Sequence, residues 1–206
     1  MALYEHDGAY SISMTGQELM HSKASASESL LGELGVEHLK KDTPGRILIG
    51  GMGLGFTLRS VLESAGPDAV VELVELIPEV IEWNKIHLAG LNGDCLDDPR
   101  VQVRMEDVKH VIQSAEAGTY DSILLDVDNG PVAMVASSNK SLYGQSGVNA
   151  IKQALAPSGR AIFWSAGQDD KFDRLLKRSG FNVRVVRAKV HATAKRAAYF
   201  LYIAEM

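Results

Sequence analysis

Two spacings of apolar residues alternate along this chain, and each predicts a kind of element. Residues 47–49 form a short apolar run, and residues 69–76 are nearly all apolar apart from Glu72 and Glu75. Runs of this length suit strands covered on both faces. Val101, Val103 and Met105 alternate as a third strand, residues 122–126 make a fourth that ends in an acid, and residues 160–165 make a fifth. Between them the spacing changes to i, i+3, i+4, i+7, the core face of an amphipathic helix. Leu58, Val61, Leu62 and Ala65 follow it, as do Val108, Val111, Ile112 and Ala115; Val80, Ile81 and Asn84 continue a helix that starts at Pro78. Helices are also predicted over residues 149–155 and 171–178, and over 28–40, where Gly32 and Gly35 count against the prediction. Residues 181–189 and 197–204 are two last strands whose short connection makes them antiparallel. Repeated βα units predict an α/β fold: a doubly wound, mostly parallel seven-stranded Rossmann-like sheet closed by an antiparallel C-terminal hairpin. Ahead of it, residues 1–45 read as an N-terminal arm and helix, with Asp7-Gly8 marking a short hairpin. Residues 46–206 read as the nucleoside-binding domain.

The chemistry gathers after the first core strand, in Gly50-Gly-Met-Gly-Leu-Gly55. Glycine accepts positive φ and lets a ligand approach without a Cβ in the way, and the helix behind the turn offers free N–H groups. Glu75 lies twenty residues beyond Gly55, at the end of the second strand. An acid at that distance meets ribose hydroxyls in nucleotide-binding βαβ units. Asp107 closes the third strand, as either a helix cap or an adenine contact. Asp126 closes the fourth, followed by Val127, Asp128 and Asn129. Ligands of open α/β sheets bind at the carboxyl ends of the strands, and Gly51, Gly53, Gly55, Glu75, Asp107 and Asp126 all fall on that rim.

Composition narrows the classes further. The net charge is −5 and no basic block stands out, so no nucleic-acid partner is expected. No apolar run approaches a membrane span, and the first residues lack the basic and apolar regions of a secretory signal, so a cytoplasmic protein without a membrane partner is expected. One cysteine, Cys95, excludes a disulfide framework. No histidines pair at metal-ligand spacing, and no metal is expected.

With those residues in view, the chain resembles the class I S-adenosylmethionine-dependent methyltransferase fold and, within it, the spermidine synthase (aminopropyltransferase) branch. The stretches that carry the resemblance run from Ile47 to Arg59, from Val70 to Ile81, from Asp98 to Val101 and from Tyr120 to Pro131, with Ser141-Leu-Tyr143 after them. The resemblance implies an S-adenosylmethionine or decarboxylated S-adenosylmethionine cofactor, held by Gly51, Gly53, Gly55, Glu75, Asp107 and Val108. Glu75 would hold the ribose and Asp107 the adenine amino group. Asp126, with Asp128, would stand at the catalytic acid position and help take a proton from an attacking amine. Asn129, Tyr143 and Trp164 are the candidate substrate-binding residues.

The sequence also departs from that family. Its loop carries an Asp that faces the donor's amino group, and Leu54 stands there instead; the family's second acid aligns with Asn129. The Tyr-His-Glu segment that helps hold the polyamine is echoed only by Met20-His21. Since an Asp would repel the carboxylate of the intact donor, Leu54 favours S-adenosylmethionine and methyl transfer to a small-molecule acceptor. The alternative is aminopropyl transfer from the decarboxylated donor, with polyamine contacts supplied by a partner subunit, as in a homodimer. A nucleoside-binding protein without catalysis and a dinucleotide-dependent dehydrogenase are the remaining readings; the dehydrogenase ranks lower because the glycines recur at every second position.

Overall fold

A computed structural model describes residues 1–127 and 141–206, which leaves Asp128 and Asn129 outside the described residues. Three strands open the chain: β1 (Ala2–His6), β2 (Ala9–Met14) and β3 (Gln17–His21). They form an antiparallel meander. Asp7-Gly8 and Thr15-Gly16 supply its two turns, and all four residues have positive φ. Two successive positive φ values give the turn whose twist matches a hairpin. The expected single hairpin or arm is therefore a three-stranded sheet, because Thr15-Gly16 turns the chain as Asp7-Gly8 does.

The larger sheet is built from β4 (Arg46–Gly50), β5 (Val70–Glu75), β6 (Val101–Met105), β7 (Tyr120–Leu125), β8 (Leu155–Ser165), β9 (Asn182–Lys189) and β10 (Ala197–Glu205). Its order is β6-β5-β4-β7-β8-β10-β9. β4 to β8 run parallel, and β10 returns antiparallel between β8 and β9. The doubly wound sheet and its closing hairpin are thus as the hydrophobic pattern predicts. Ile47, Leu48 and Ile49 are fully buried because helices cover both faces.

On one face lie α1 (Ala26–Val36), α2 (Phe56–Ser64) and α3 (Pro78–Ile86); on the other lie α5 (Val108–Ser114), α6 (Gln145–Ala154) and α7 (Asp170–Arg178). Residues 88–99 hold the short α4 (Ala89–Asn92) and a 3-10 turn at Cys95–Asp97. Although the sequence grouped α1 with the N-terminal arm, it packs against α2 and β7 as part of the main layer. Gly32 and Gly35, which weaken it as a helix, explain how it fits. A Cβ on Gly32 would lie 2.6 Å from the Ser60 Cβ, and one on Gly35 would lie 2.5 Å from a methyl carbon of Leu124. Helix propensity was given up for close approach.

The meander packs on the main domain through a small apolar cluster of Ile12, Leu54 and Leu88, with Met20 and Trp83 beside them. Leu54 comes from the glycine loop, so the N-terminal sheet and that loop share a core.

Candidate active site

β4 ends at Gly50, and the Gly51 amide still donates to the Val74 carbonyl of β5 before the loop begins. Gly51, Gly53 and Gly55 all take positive φ, and a Cβ on Gly51 would lie 2.4 Å from the Asp126 carbonyl oxygen. Only glycine fits there. Gly55 then stands at the N-cap of α2. Two buried polar side chains fix the loop. Glu75 accepts from the Met52 amide at 2.9 Å with one carboxylate oxygen and from the Ile77 amide at 2.8 Å with the other. From α3, Asn84 donates to the Gly53 carbonyl at 2.9 Å and is itself held by Asn92 at 2.7 Å. Each Glu75 oxygen keeps a further lone pair for a hydroxyl.

Beside Glu75 the rim is apolar. Leu76 and Met105 are 62% and 63% exposed at adjoining strand ends, a surface suited to the flat face of a purine. Asp107 caps α5, accepting from the Lys109 amide at 2.9 Å, which resolves the choice between cap and contact for one of its oxygens. Val108 is buried, with its side chain against Gly50 and the core. In this position its amide at the helix start, not its side chain, is what a ligand can meet.

The second group of residues lies where β7 ends. Asp126 follows Leu125 and faces the α1 side, as Leu124 does, by the alternation of a strand. Its carboxylate is half-buried and accepts from the Thr57 hydroxyl at 3.0 Å. Glu28, in the first turn of α1, sits close enough for the two charges to interact. Burial is the larger cause and the Asp126 charge the second in pushing Glu28 up to about 7. Burial likewise pushes Asp126 up to about 6, against the pull of the Thr57 bond. Trp164 is the next residue of β8 beside Asp126 and packs on Tyr199 of β10 with ring centroids 4.7 Å apart. Tyr199, partly buried, is raised by that burial and by the Glu28 charge. Two acids and an aromatic wall therefore share one corner of the rim, next to the glycine loop.

Some expected residues are placed elsewhere. The Tyr143 ring lies on the opposite face of the sheet, 5.7 Å from Phe172 and 6.2 Å from Phe163, and its hydroxyl donates to the Val127 carbonyl at 3.3 Å. Such a position supports the backbone after Asp126 from behind. Leu54 is 4% exposed and packs against Ile12 of the N-terminal sheet and Leu88. Met20 lies against Gly53, and His21 accepts from the Lys23 amide; the acid that interacts with Asp126 is Glu28. The sequence does carry a signal at Glu28, the Ser25-x-x-Glu28 spacing of a capping box. It points to a structural role, yet the Ser25 side chain makes no cap bond. Thr57 carries no signal beyond its place behind the loop.

This arrangement can be set beside known proteins. Residues 26–171 match the spermine/spermidine synthase domain. The chain belongs to that family. This synthase-family chain is 31% identical over 187 residues to polyamine aminopropyltransferase 2 of Pseudomonas aeruginosa, covering 86% of itself and 50% of that protein. It is 29% identical over 116 residues to putrescine N-methyltransferase 1 of Nicotiana tabacum, covering 56% of itself and 29% of that protein. It thus spans half or less of the length of these relatives. A probable spermidine synthase from Corynebacterium glutamicum superposes with a TM-score of 0.71 at 17% identity, over 98% of this chain and 75% of that one. At that identity the superposition speaks for the fold alone.

Proposed function

We propose that this chain is an aminopropyltransferase that uses decarboxylated S-adenosylmethionine and an amine acceptor. The observation that carries the reading is the half-buried Glu28–Asp126 pair beside the glycine loop, with Asp126 held by Thr57 of α2. Among the described residues no cation is paired with either acid. A corner with two carboxylates and an aromatic wall favours ammonium groups over the carboxylate of the intact donor.

The residues fit an adenosyl group: Glu75 retains lone pairs for ribose hydroxyls, and Leu76 and Met105 offer an apolar seat for the base. When bound, the donor supplies an electrophilic carbon attached to a sulfonium. Gly51, Gly53 and Gly55 would let it lie close to the backbone, with Asp107 and the Val108 amide at the base. Asp126 and Glu28 would orient the acceptor ammonium, and Asp126 would accept its proton as the nitrogen becomes a nucleophile. A carboxylate raised toward neutrality is better matched to that transfer than an ordinary one. Asp128 and Asn129 remain candidates by sequence for the same acceptor.

The expectation of methyl transfer rested on Leu54, which packs against Ile12 and Leu88. Methyl transfer to an amine stays as the second reading because of the similarity to a putrescine N-methyltransferase. Calorimetric titration with the decarboxylated and intact donors, followed by transfer assays with a diamine, separates the two. The expected result is tighter binding of the decarboxylated form and aminopropyl transfer lost at least 100-fold in Asp126→Asn, the scale of general base catalysis. Preference for the intact donor, with methylated product, would overturn the first reading in favour of the second.

A further inference from the structure

Thr57 ties the donor loop to the acid pair. It lies in the first turn of α2, directly behind Gly55, and is 2% exposed. Its hydroxyl stands 3.0 Å from a carboxylate oxygen of Asp126 and 3.4 Å from the backbone carbonyl oxygen of Glu28. One hydroxyl carries one proton and can donate to one of these acceptors at a time, while its own lone pairs accept.

A proton acceptor has to be satisfied in two states. When Asp126 is ionised, the Thr57 hydroxyl can donate to it. When Asp126 is protonated, its own O–H can donate to the Thr57 oxygen while the Thr57 proton turns to the Glu28 carbonyl. Neither state leaves a buried polar group without a partner, and an unsatisfied one is costly. Serine could do the same; valine, of equal shape, could do neither.

We propose that Thr57 is a positioning residue that holds the Asp126 carboxylate through both of its protonation states, by turning a single hydroxyl between Asp126 and the Glu28 backbone. The inference rests on the role given to Asp126 above. The surroundings leave this task to Thr57. Glu28 faces Asp126 from α1, with Tyr199 of β10 beyond it. Glu75 of β5 is turned to the Met52 and Ile77 amides. Arg59 of α2 is turned away to Glu63 and the Leu91 carbonyl, and β8 brings the neutral Trp164. Among the described residues, the Thr57 hydroxyl is the donor to the Asp126 carboxylate.

The test is a carbon-13 carboxyl titration of the aspartates in the parent, Thr57→Val and Thr57→Ser, with Asp126→Asn assigning the resonance. Loss of a donor to the ionised form raises a carboxylate. The Asp126 midpoint is expected to rise by about one pH unit in Thr57→Val and by no more than a few tenths in Thr57→Ser. In transfer assays the acid limb of the kcat profile should move by the same amount while the donor KM stays within about twofold. A midpoint unchanged in Thr57→Val, or moved as far in Thr57→Ser, would overturn the assignment. A shifted midpoint in a protein inert toward amines would instead overturn the transferase reading and leave the role of Thr57 standing.

Discussion

Replacing Glu28 by Gln should stabilise the protein at alkaline pH, and the amount can be worked out. Glu28 titrates near 4.5 in an unfolded chain and is pushed up to about 7 in the folded one, by burial first and by the Asp126 charge second. Between those values the folded state keeps a proton that the unfolded chain has released. Stability therefore falls as pH rises from about 4.5 to about 7, and the whole cost is present above about 7. That interval corresponds to about 3 kcal/mol. Part of it belongs jointly to Glu28 and Asp126, and a charge in the first turn of a helix also gains roughly 0.3–1 kcal/mol from the helix dipole, which Gln forfeits. A net gain of about 1–2 kcal/mol at pH 8 remains. Gln keeps an acceptor for the Ser27 hydroxyl, so packing should be unchanged. Urea unfolding at pH 8 and pH 4.5 measures the difference: a higher midpoint for the variant at pH 8 and near coincidence at pH 4.5. A variant no more stable than its parent at pH 8 would refute the picture of a partly desolvated pair of like charges. Transfer activity should fall in the same variant, a gain in stability at the expense of function.

Two other substitutions test the donor loop. Glu75→Ala removes the acceptor of the Met52 and Ile77 amides and the proposed ribose contact; nucleoside binding should weaken by about 1–3 kcal/mol, and methylthioadenosine binding as tight as in the parent would remove Glu75 from the site. Leu54→Asp restores the acid of the family loop but buries it against Ile12 and Leu88. It should cost about 2–5 kcal/mol, read as a lower urea midpoint with hydrogen exchange opening first in β1–β3, and a parent-like midpoint would show that position 54 can turn toward the donor.

The middle of the sheet was legible because β4, β5, β7 and the second half of β8 are buried on both faces and the helices on one, and those demands leave separate spacings in the sequence. β4 and α2 illustrate both. The second turn of the meander was missed because Thr15-Gly16 is a weaker turn signal than Asp7-Gly8, though the two adopt the same conformation. α1 was predicted as a helix and grouped with the arm, with Gly32 and Gly35 counting against it in isolation. Only the neighbours Ser60 and Leu124 show what those glycines are for. Of the candidate site, the positions of Glu75 and Asp126 at strand ends could be read from the sequence. Glu28 and Thr57 could not, since their meeting depends on how α1 crosses α2, and no local spacing encodes that crossing. Leu54 misled for the opposite reason: alignment with a family loop fixes a position along the chain but not the direction of a side chain.

What separates the acids proposed to act on the amine from the structural ones is their effect on folding. Glu72 is buried in mid-strand, yet Arg104 approaches it at 2.6 Å and the Tyr120 hydroxyl donates to it at 2.8 Å. Glu75 binds two amides and Asp107 one, so each has a structural use with or without a ligand. Glu28 and Asp126 are different. They are half-buried side by side, they carry like charge, and burial raises both. Such a pair costs the folded state energy that two neutral side chains would not. A core selected for stability alone has no use for it, whereas a site that must attract an ammonium and then remove its proton needs both acids. The strength of the amine-transfer reading lies in that cost, and the gain expected from Glu28→Gln measures it directly.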